Sequence, residues 1–502
     1  MWLAGLLAVV IALALFSRFS IDAELRRDEA IYLYAGQQLT HGVPPYVSIL
    51  DPKTPLASFF TGASVLVGRA AGVEDVQAAR LGFLVLSSLT VGAVFLAGAL
   101  LFSSVLAGLA GAAGFATFRG FAIDALGGPN AKTPGVLFAV LATALLLRRQ
   151  WFWAGFAASL AVLVWQPLVI YPLVAVAAAW LGSGPEDRVR SAGLALLGGI
   201  IPGAATVLYF TATGAFGALF EGAFLLPVTG TQRGDATLLG HLAHVVSTVR
   251  TGYGIGQLVF WPGIGALLAL MVARAWRLRR EGAALARDPL LLVILPPLVF
   301  VTAFSVVDFQ GYPDLYPFLP YAALGVAGMV AAVLARLEHR VPAATPEAAT
   351  GGTVTGNVIA GRAIIGVALV ALVATTWVWY SVEGSSDTRL LDQRAAVARV
   401  ERRIGSDGTL YALGDPTPLV LSGRTNPSRE IYLAAGVDNW VVNHTDGGFE
   451  GWMGRVVASD PDVILVGGWG GELASEAKAW LRSLYTVRVV AIWKAFTPRA
   501  GP

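Results

Sequence analysis

A chain of 502 residues that is 56% hydrophobic and only 13% charged departs from soluble proteins, in which about 25% of residues carry charge, and its long apolar runs mark a polytopic membrane protein. A formal net charge of +3 leaves no electrostatic footprint for nucleic acid. The absence of cysteine excludes disulfides, thiolate catalysis and thiolate metal sites.

Residues 1–17 form an apolar run with no basic stretch before it and no small-residue cleavage site after it, so they read as a retained first span. The polar stretch RRDEAIYLYAGQQLTHGVPPYVSILDPKTPL (26–56) follows. Its DEAIYLYAGQQL portion has apolar and aromatic residues at helical spacing, Ile31, Tyr34 and Leu39 among them. That pattern suits a helix lying along a membrane surface. Asp28 and Glu29 fall in its first turn, where the helix dipole favours acids, and capping is their simplest role. Residues 56–72 are apolar but interrupted by glycines and Arg69, and read as interfacial. Further spans are expected near 80–102, 104–120, 133–147, 151–166, 168–182, 191–213, 255–273, 289–307, 315–335 and 362–380. With the first they make about eleven.

Four basic loops orient these spans. With a cytoplasmic start, Arg148 and Arg149, Arg188 and Arg190, Arg274 to Arg280, and Arg336 and Arg340 all fall inside, as the positive-inside rule asks. Residues 18–79, 119–132, 214–254, 308–314 and everything after 380 then lie outside.

The second outer loop, RGFAIDALGGPNAKTP (119–134), is polar and turn-rich. Its GGPNAKT string is not a nucleotide-binding loop, because Ala131 stands where that pattern needs glycine before the lysine. The outer stretch 308–321, DFQGYPDLYPFLPY, suits an aromatic interface belt. His241 and His244 lack a third ligand and read as surface residues. A small-residue linker at 341–361 precedes the last span. Beyond it the charge density rises. Residues 388–404 read as a helix, 409–415 and 461–468 as strands, 472–485 as a helix and 486–496 as one more strand. In this region GRTNPSREIYLAAGVDNW (423–440) mixes polar and aromatic residues, as glycan-binding surfaces and plain turns both do.

Asp28-Glu29 after a basic residue, then Tyr32, Gly42, Pro45-Tyr46 and Asp51-Pro52-Lys53-Thr54-Pro55-Leu56, resemble the first outer loop of the GT-C glycosyltransferases that use polyprenyl-phosphate sugars. Protein O-mannosyltransferases, lipid A aminoarabinose transferases and archaeal dolichyl-phosphate-mannose mannosyltransferases are of this kind, and the layout is most similar to the last. The resemblance implies a polytopic α-helical membrane protein, with a GT-C-like catalytic domain at 1–380 and a small extracytoplasmic α/β domain at 381–502. It implies a polyprenyl or dolichyl phosphate donor of a hexose, with mannose expected, and a glycan or glycoprotein acceptor at the outer face. Membrane lipids are the other partners; nucleic acid, cofactor and metal are not expected.

The resemblance also assigns residues. Asp28 is the base that takes the acceptor's proton as the sugar C1–O bond breaks, and Glu29 supports it or binds sugar. Lys53, held between prolines, meets charge developing on the leaving phosphate; Tyr46 and Asp51 flank it in the substrate-binding motif. Asp124 is the acid of the second loop, where Arg119 and Lys132 are also placed to meet phosphate. Tyr312, Asp314 and Tyr316 line the donor cavity. With no second nucleophile evident, single displacement with inversion is the simplest scheme. The competing class, a transporter or flippase of lipid-linked sugars, expects ionisable residues at mid-membrane, whereas the acids here gather in the loops.

Overall fold

The structure, a computed structural model, describes residues 1–230, 238–307, 309–339, 352–384, 387–434 and 436–499. Helix α1 (Trp2–Phe16) is apolar all round, as a helix in lipid can be, and packs on α4 (Asp75–Leu101). Between them lie α2 (Arg27–Thr40) and α3 (Leu56–Ala70). The chain continues through α5 (Val105–Ala116), α6 (Arg119–Gly127), α7 (Lys132–Leu147), α8 (Trp151–Val164), α9 (Ile170–Gly182) and α10 (Arg188–Ala212). After α11 (Phe216–Phe220) come α12 (Leu238–Tyr253), α13 (Gln257–Arg280), α14 (Leu295–Val307), α15 (Leu319–His339) and α16 (Gly352–Glu383).

Five described helical segments are long and apolar enough to cross a membrane: Asp75–Leu101, Arg188–Ala212, Leu239–Arg280, Tyr312–Glu338 and Val358–Glu383. The pair α5–α6 passes the same test together but is bent by 71°, and several shorter apolar helices accompany them. The protein is a multi-pass membrane protein. All eleven expected spans fall on one of these helices. Two further apolar helices, Leu56–Ala70 and Phe216–Gly230, lie in segments expected to be outside.

Lipid gives helices little hydrophobic reason to associate, so close backbone approach does the work. A Cβ at Gly155 of α8 would run into the Ala195 carbonyl of α10, and one at Gly263 of α13 into the Ala322 carbonyl of α15. The Arg148 guanidinium lies 5.3 Å from the Trp2 ring, so the chain start and the first basic loop share one end of the bundle.

Three expectations are corrected. The 214–254 segment is largely helical, not an open loop. The linker at 341–361 falls outside the described residues up to 351; from Gly352 the chain is already helical. The stretch 486–496 is not one strand but runs through a hairpin, from β3 (Tyr485–Val490) across a two-residue turn into β4 (Trp493–Pro498). Ala491 takes φ +52° at the first position of the two-residue loop, the sign that tight hairpin turns need.

Elsewhere in the C-terminal region α17 (Arg389–Ile404), β1 (Leu410–Leu413), β2 (Val463–Val466) and α21 (Glu472–Leu484) fall where periodicity places them, and three helices that it did not show, α18 (Thr417–Ser422), α19 (Val437–Asn443) and α20 (Gly448–Ala458), lie between β1 and β2. The sheet order is β1-β2-β4-β3. β1 and β2 are parallel, with Leu410 opposite Val463, and β4 runs antiparallel to both β2 and β3.

Helix α2 joins this sheet region to the bundle. Its pattern suits a helix lying along a membrane surface, and the structure corrects this: Glu29 through Gln38 are all buried. Ala30, Ile31, Leu33, Tyr34 and Ala35 share a hydrophobic core with β1, β2 and α17. The polar positions find partners there. The Tyr34 hydroxyl accepts from the Asn426 backbone at 2.9 Å, and Gln37 donates to the Val420 carbonyl at 3.3 Å. A helix with aromatic and amide groups on several faces is suited to a sandwich, not to a lipid surface.

Candidate active site

The loop between α2 and α3 is pinned to both neighbours. The Tyr46 hydroxyl donates to the Lys53 carbonyl at 2.6 Å, and Asp51 accepts the Lys53 backbone N–H at 3.2 Å. Gln166 donates to the Pro52 carbonyl at 2.8 Å and Thr54 to the Val162 carbonyl at 2.9 Å. Tyr46 itself holds φ +67°, a costly conformation for an aromatic residue that persists only where the surroundings fix it. These contacts immobilise the Lys53 backbone, so its side chain is delivered to one place.

That place is a cavity of about 360 Å³, lined by Arg26, Arg27, Asp28, Glu29, Tyr32, Lys53, Asp124, Asn130, Ala131, Lys132, Pro313 and Gly468. Its volume is at the small end of the ~300–1,000 Å³ typical of small-molecule sites. Four basic side chains face three carboxylates in it. The contributing segments are the α1–α2 loop and α2, the α2–α3 loop, α6 and its following turn, the 309–314 segment and the loop after β2.

The two acids of the first turn do different work. Glu29 is 2% exposed and is the cap: it accepts the Arg26 backbone N–H at 3.1 Å and the Arg26 Nε at 2.6 Å. Burial pushes its carboxyl up, against the pull of Arg26 and Arg80. Asp28 does no capping. Its side chain is 61% exposed, with Arg27 Nε 3.2 Å away. Burial raises the Asp28 carboxyl, but Lys53, then Arg27 and Lys132, outweigh it and hold the group below its ordinary value.

Arg26 reaches across to Asp124 at 2.6 Å. Asp124 also accepts from the Tyr316 hydroxyl at 2.6 Å, and Tyr312 stands 3.4 Å from it. Lys132 pairs with Asp314, which caps its own turn by accepting the Gln310 and Gly311 N–H groups at 2.7 and 3.1 Å. Asn130 accepts from the backbones of Lys132 and Thr133 at 3.0 and 2.9 Å, starting α7.

Lys53 stands apart. Its ammonium lies 5.4 Å from the Tyr32 ring, and no carboxylate among the described residues comes within ion-pair distance. Burial opposes the charge and the neighbouring Asp51 and Asp28 carboxylates favour it, with the balance holding the ammonium above its ordinary value. The Tyr32 hydroxyl is buried without a hydrogen-bond partner; burial keeps it protonated and able to donate.

Of the residues expected from sequence, Asp28, Glu29, Lys53, Asp124 and Lys132 line the cavity. Tyr46, Asp51, Tyr312, Asp314 and Tyr316 stand behind it, each bonded to a lining group. Arg119 is not brought there: it pairs with Glu383 at the end of α16. His241 and His244 lie on α12, with His244 5.2 Å from Phe309, and no group of three or more potential metal ligands occurs among the described residues.

Sequence reasoning missed Arg26, Arg27, Asn130 and Gly468 as lining residues, and Arg80. The Arg80 guanidinium, fully buried in α4, donates to the carbonyls of Ile21 and Glu24 and pins the approach to Arg26. An arginine inside an apolar helix is itself a signal of a site.

No known family profile matches the chain, and neither does any curated protein. Solved structures do. ArnT from Cupriavidus metallidurans in the apo state is 15% identical, with a TM-score of 0.59 over 99% of this chain and 98% of that one. The same protein bound to undecaprenyl phosphate is 14% identical, with a TM-score of 0.57 over 99% of each chain. The Archaeoglobus fulgidus oligosaccharyltransferase in the apo form is 12% identical, with a TM-score of 0.52 over 92% of this chain and 69% of that one. The chain has the GT-C fold.

Proposed function

We propose that the chain is a membrane glycosyltransferase that moves a hexose from a polyprenyl phosphate to a glycan or glycoprotein hydroxyl at the extracytoplasmic face. One observation carries this reading: an exposed carboxylate held ionised and a lysine without a carboxylate partner share one cavity. A polyprenyl-phosphate sugar brings a phosphate and an electrophilic anomeric carbon. Lys53 offers the phosphate a fixed positive charge, which grows in value as the C1–O bond breaks and its electron pair passes to the phosphate. Asp28 takes the proton of the acceptor hydroxyl as that oxygen bonds to C1. Attack opposite the leaving phosphate inverts the anomeric centre. The Tyr32 hydroxyl is a spare donor beside Lys53. Arg26, Glu29, Asp124, Tyr312 and Tyr316 act as a frame that fixes the floor of the site.

The likeness to a structure holding undecaprenyl phosphate supports the donor class. The four basic loops support the extracytoplasmic side. Mannose as the sugar and a dolichyl carrier rest on the motif's resemblance alone. The test is to incubate the purified chain with labelled polyprenyl-phosphate hexoses and, separately, with labelled nucleotide hexoses. Sugar release or transfer from the lipid-linked donors alone supports the reading. Transfer from a nucleotide hexose in polyprenol-free conditions contradicts it.

A further inference from the structure

A second cavity, of about 490 Å³, lies in the C-terminal region and shares Arg27 with the first; Leu433, Asp438, Asn439, Gly471 and Glu472 are also among its walls. The chain that leaves the carboxyl end of β2, one of the parallel pair, lines it, and open α/β sheets commonly bind ligands beyond strand carboxyl ends. The loop that leaves β2, Gly467-Gly468-Trp469-Gly470-Gly471, serves both cavities: Gly468 lines the first, Gly470 and Gly471 the second. Trp469 anchors it. Its indole N–H donates to Asp438 at 3.0 Å, and its carbonyl accepts from Lys478 at 3.0 Å. Arg27 is the partition. It contacts Asp28 at 3.2 Å, donates to the Gly468 carbonyl, and lies 5.2 Å over the Tyr432 ring.

The two cavities differ in chemistry. Basic groups outnumber acids in the first, whereas the second has Asp438 and Glu472 against Arg27, which Asp28 already neutralises. A phosphate or other anion is disfavoured there. Carboxylates, an amide and glycine backbone suit a ligand rich in hydroxyl donors. Resting on the donor assignment above, we propose that this second cavity is the acceptor subsite and that it takes an uncharged carbohydrate, whose reacting hydroxyl passes Arg27 to reach Asp28. The stretch that sequence left open between glycan surface and plain turn, 423–440, supplies Leu433, Asp438 and Asn439 to it.

The test is saturation-transfer NMR on the full detergent-solubilised chain with methyl hexosides as probes, beside binding of polyprenyl phosphate to the same samples. Gly470→Leu adds bulk at the cavity wall, from a position where an added Cβ meets nothing within 4 Å. Glu472→Gln removes one hydroxyl acceptor at an exposed position, which typically weakens binding about 10- to 100-fold. We expect methyl hexoside signal in the wild type, its loss in Gly470→Leu, its weakening in Glu472→Gln, and no change in polyprenyl phosphate binding in either. Equal signal in wild type and Gly470→Leu, or tighter binding of hexose phosphates than of neutral hexosides, overturns the proposal. Methyl hexoside binding that Gly470→Leu abolishes, in a chain that fails to bind polyprenyl phosphate, would sink the donor reading and leave the carbohydrate subsite standing.

Discussion

On one side of the first cavity, Arg26, Glu29, Asp124 and Tyr316 close into a network in which each charge meets its partner at 2.6 Å or less. On the other side, Asp28 is mostly exposed and Lys53 has no carboxylate within ion-pair distance among the described residues. The difference separates structure from chemistry. Charges that satisfy one another fix geometry but have little left to offer a substrate. Charges left open cost stability until something arrives to complete them. We read the closed half as a frame, and the half in which Asp28 meets only Arg27 and Lys53 meets no carboxylate as the receptor, so substitutions should sort by which half they touch.

The largest effect is expected at Asp28→Asn. Asparagine keeps the size and leaves the Glu29 cap untouched, so thermal melting should not move. It cannot take a proton at neutral pH, and loss of a general base costs about 10²–10⁴-fold in rate. Transfer rate per folded molecule, with melting as control, checks this; near-normal turnover would put Asp28 outside the chemistry. Next comes Lys53→Gln, which removes the charge that we propose meets the leaving phosphate. Losses of such electrostatic stabilisation run to about 10²–10³-fold. Because Lys53 is the main group holding the Asp28 carboxyl down, the acid limb of the residual kcat/KM profile should also move to higher pH. A limb that stays where the wild type has it would uncouple the two residues.

How far the sequence could foretell this contrast depends on the element. Asp28, Lys53, Asp124 and Lys132 were legible because a short motif and one further polar stretch carry them in an otherwise apolar chain. The spans were legible from apolar length, though several of the helices they fall on are shorter than a full crossing needs. What could not be read was partnership. Glu29 and Asp28 are adjacent in the chain, and only the fold shows that Arg26 claims the first while the second keeps an exposed side chain beside Arg27. Gly468 and Arg27 were invisible as site residues because their role comes from the docking of the C-terminal sheet on α2. The β3–β4 hairpin was missed because its turn residues, Ala491 and Ile492, carry no turn signal.

In the closed half the expected effect is on stability. Glu29→Gln keeps the shape but removes the charge that Arg26 needs, and hydrogen bonds to charged groups contribute about 1.5–3 kcal/mol. Its melting temperature should fall, while transfer rate per folded molecule should drop by less than the ~10²-fold that loss of a base costs. A variant that melts normally yet loses all transfer would move Glu29 into the chemistry. The smallest effect is expected at Asp51, behind Lys53. Burial raises its carboxyl to about 6, against Lys53. A carboxyl whose folded pKa lies above its unfolded value of about 3.9 binds its proton more tightly when folded. Its contribution to stability therefore grows as pH falls from about 7 through 6 towards 4. Asp51→Asn should flatten that part of the melting-temperature profile; an unchanged slope would show that Asp51 is not the group responsible.

The central claim, that the open half receives a polyprenyl phosphate, is tested most directly by binding alone, without sugar or turnover. Polyprenyl phosphate is titrated into the purified full chain and thermal stabilisation is followed for the wild type, Lys53→Gln and Asp28→Asn. The account predicts stabilisation of the wild type, loss of most of it in Lys53→Gln, and stabilisation of Asp28→Asn at least as great as the wild type's, because a negative neighbour of the phosphate has gone. Equal stabilisation of wild type and Lys53→Gln would contradict it.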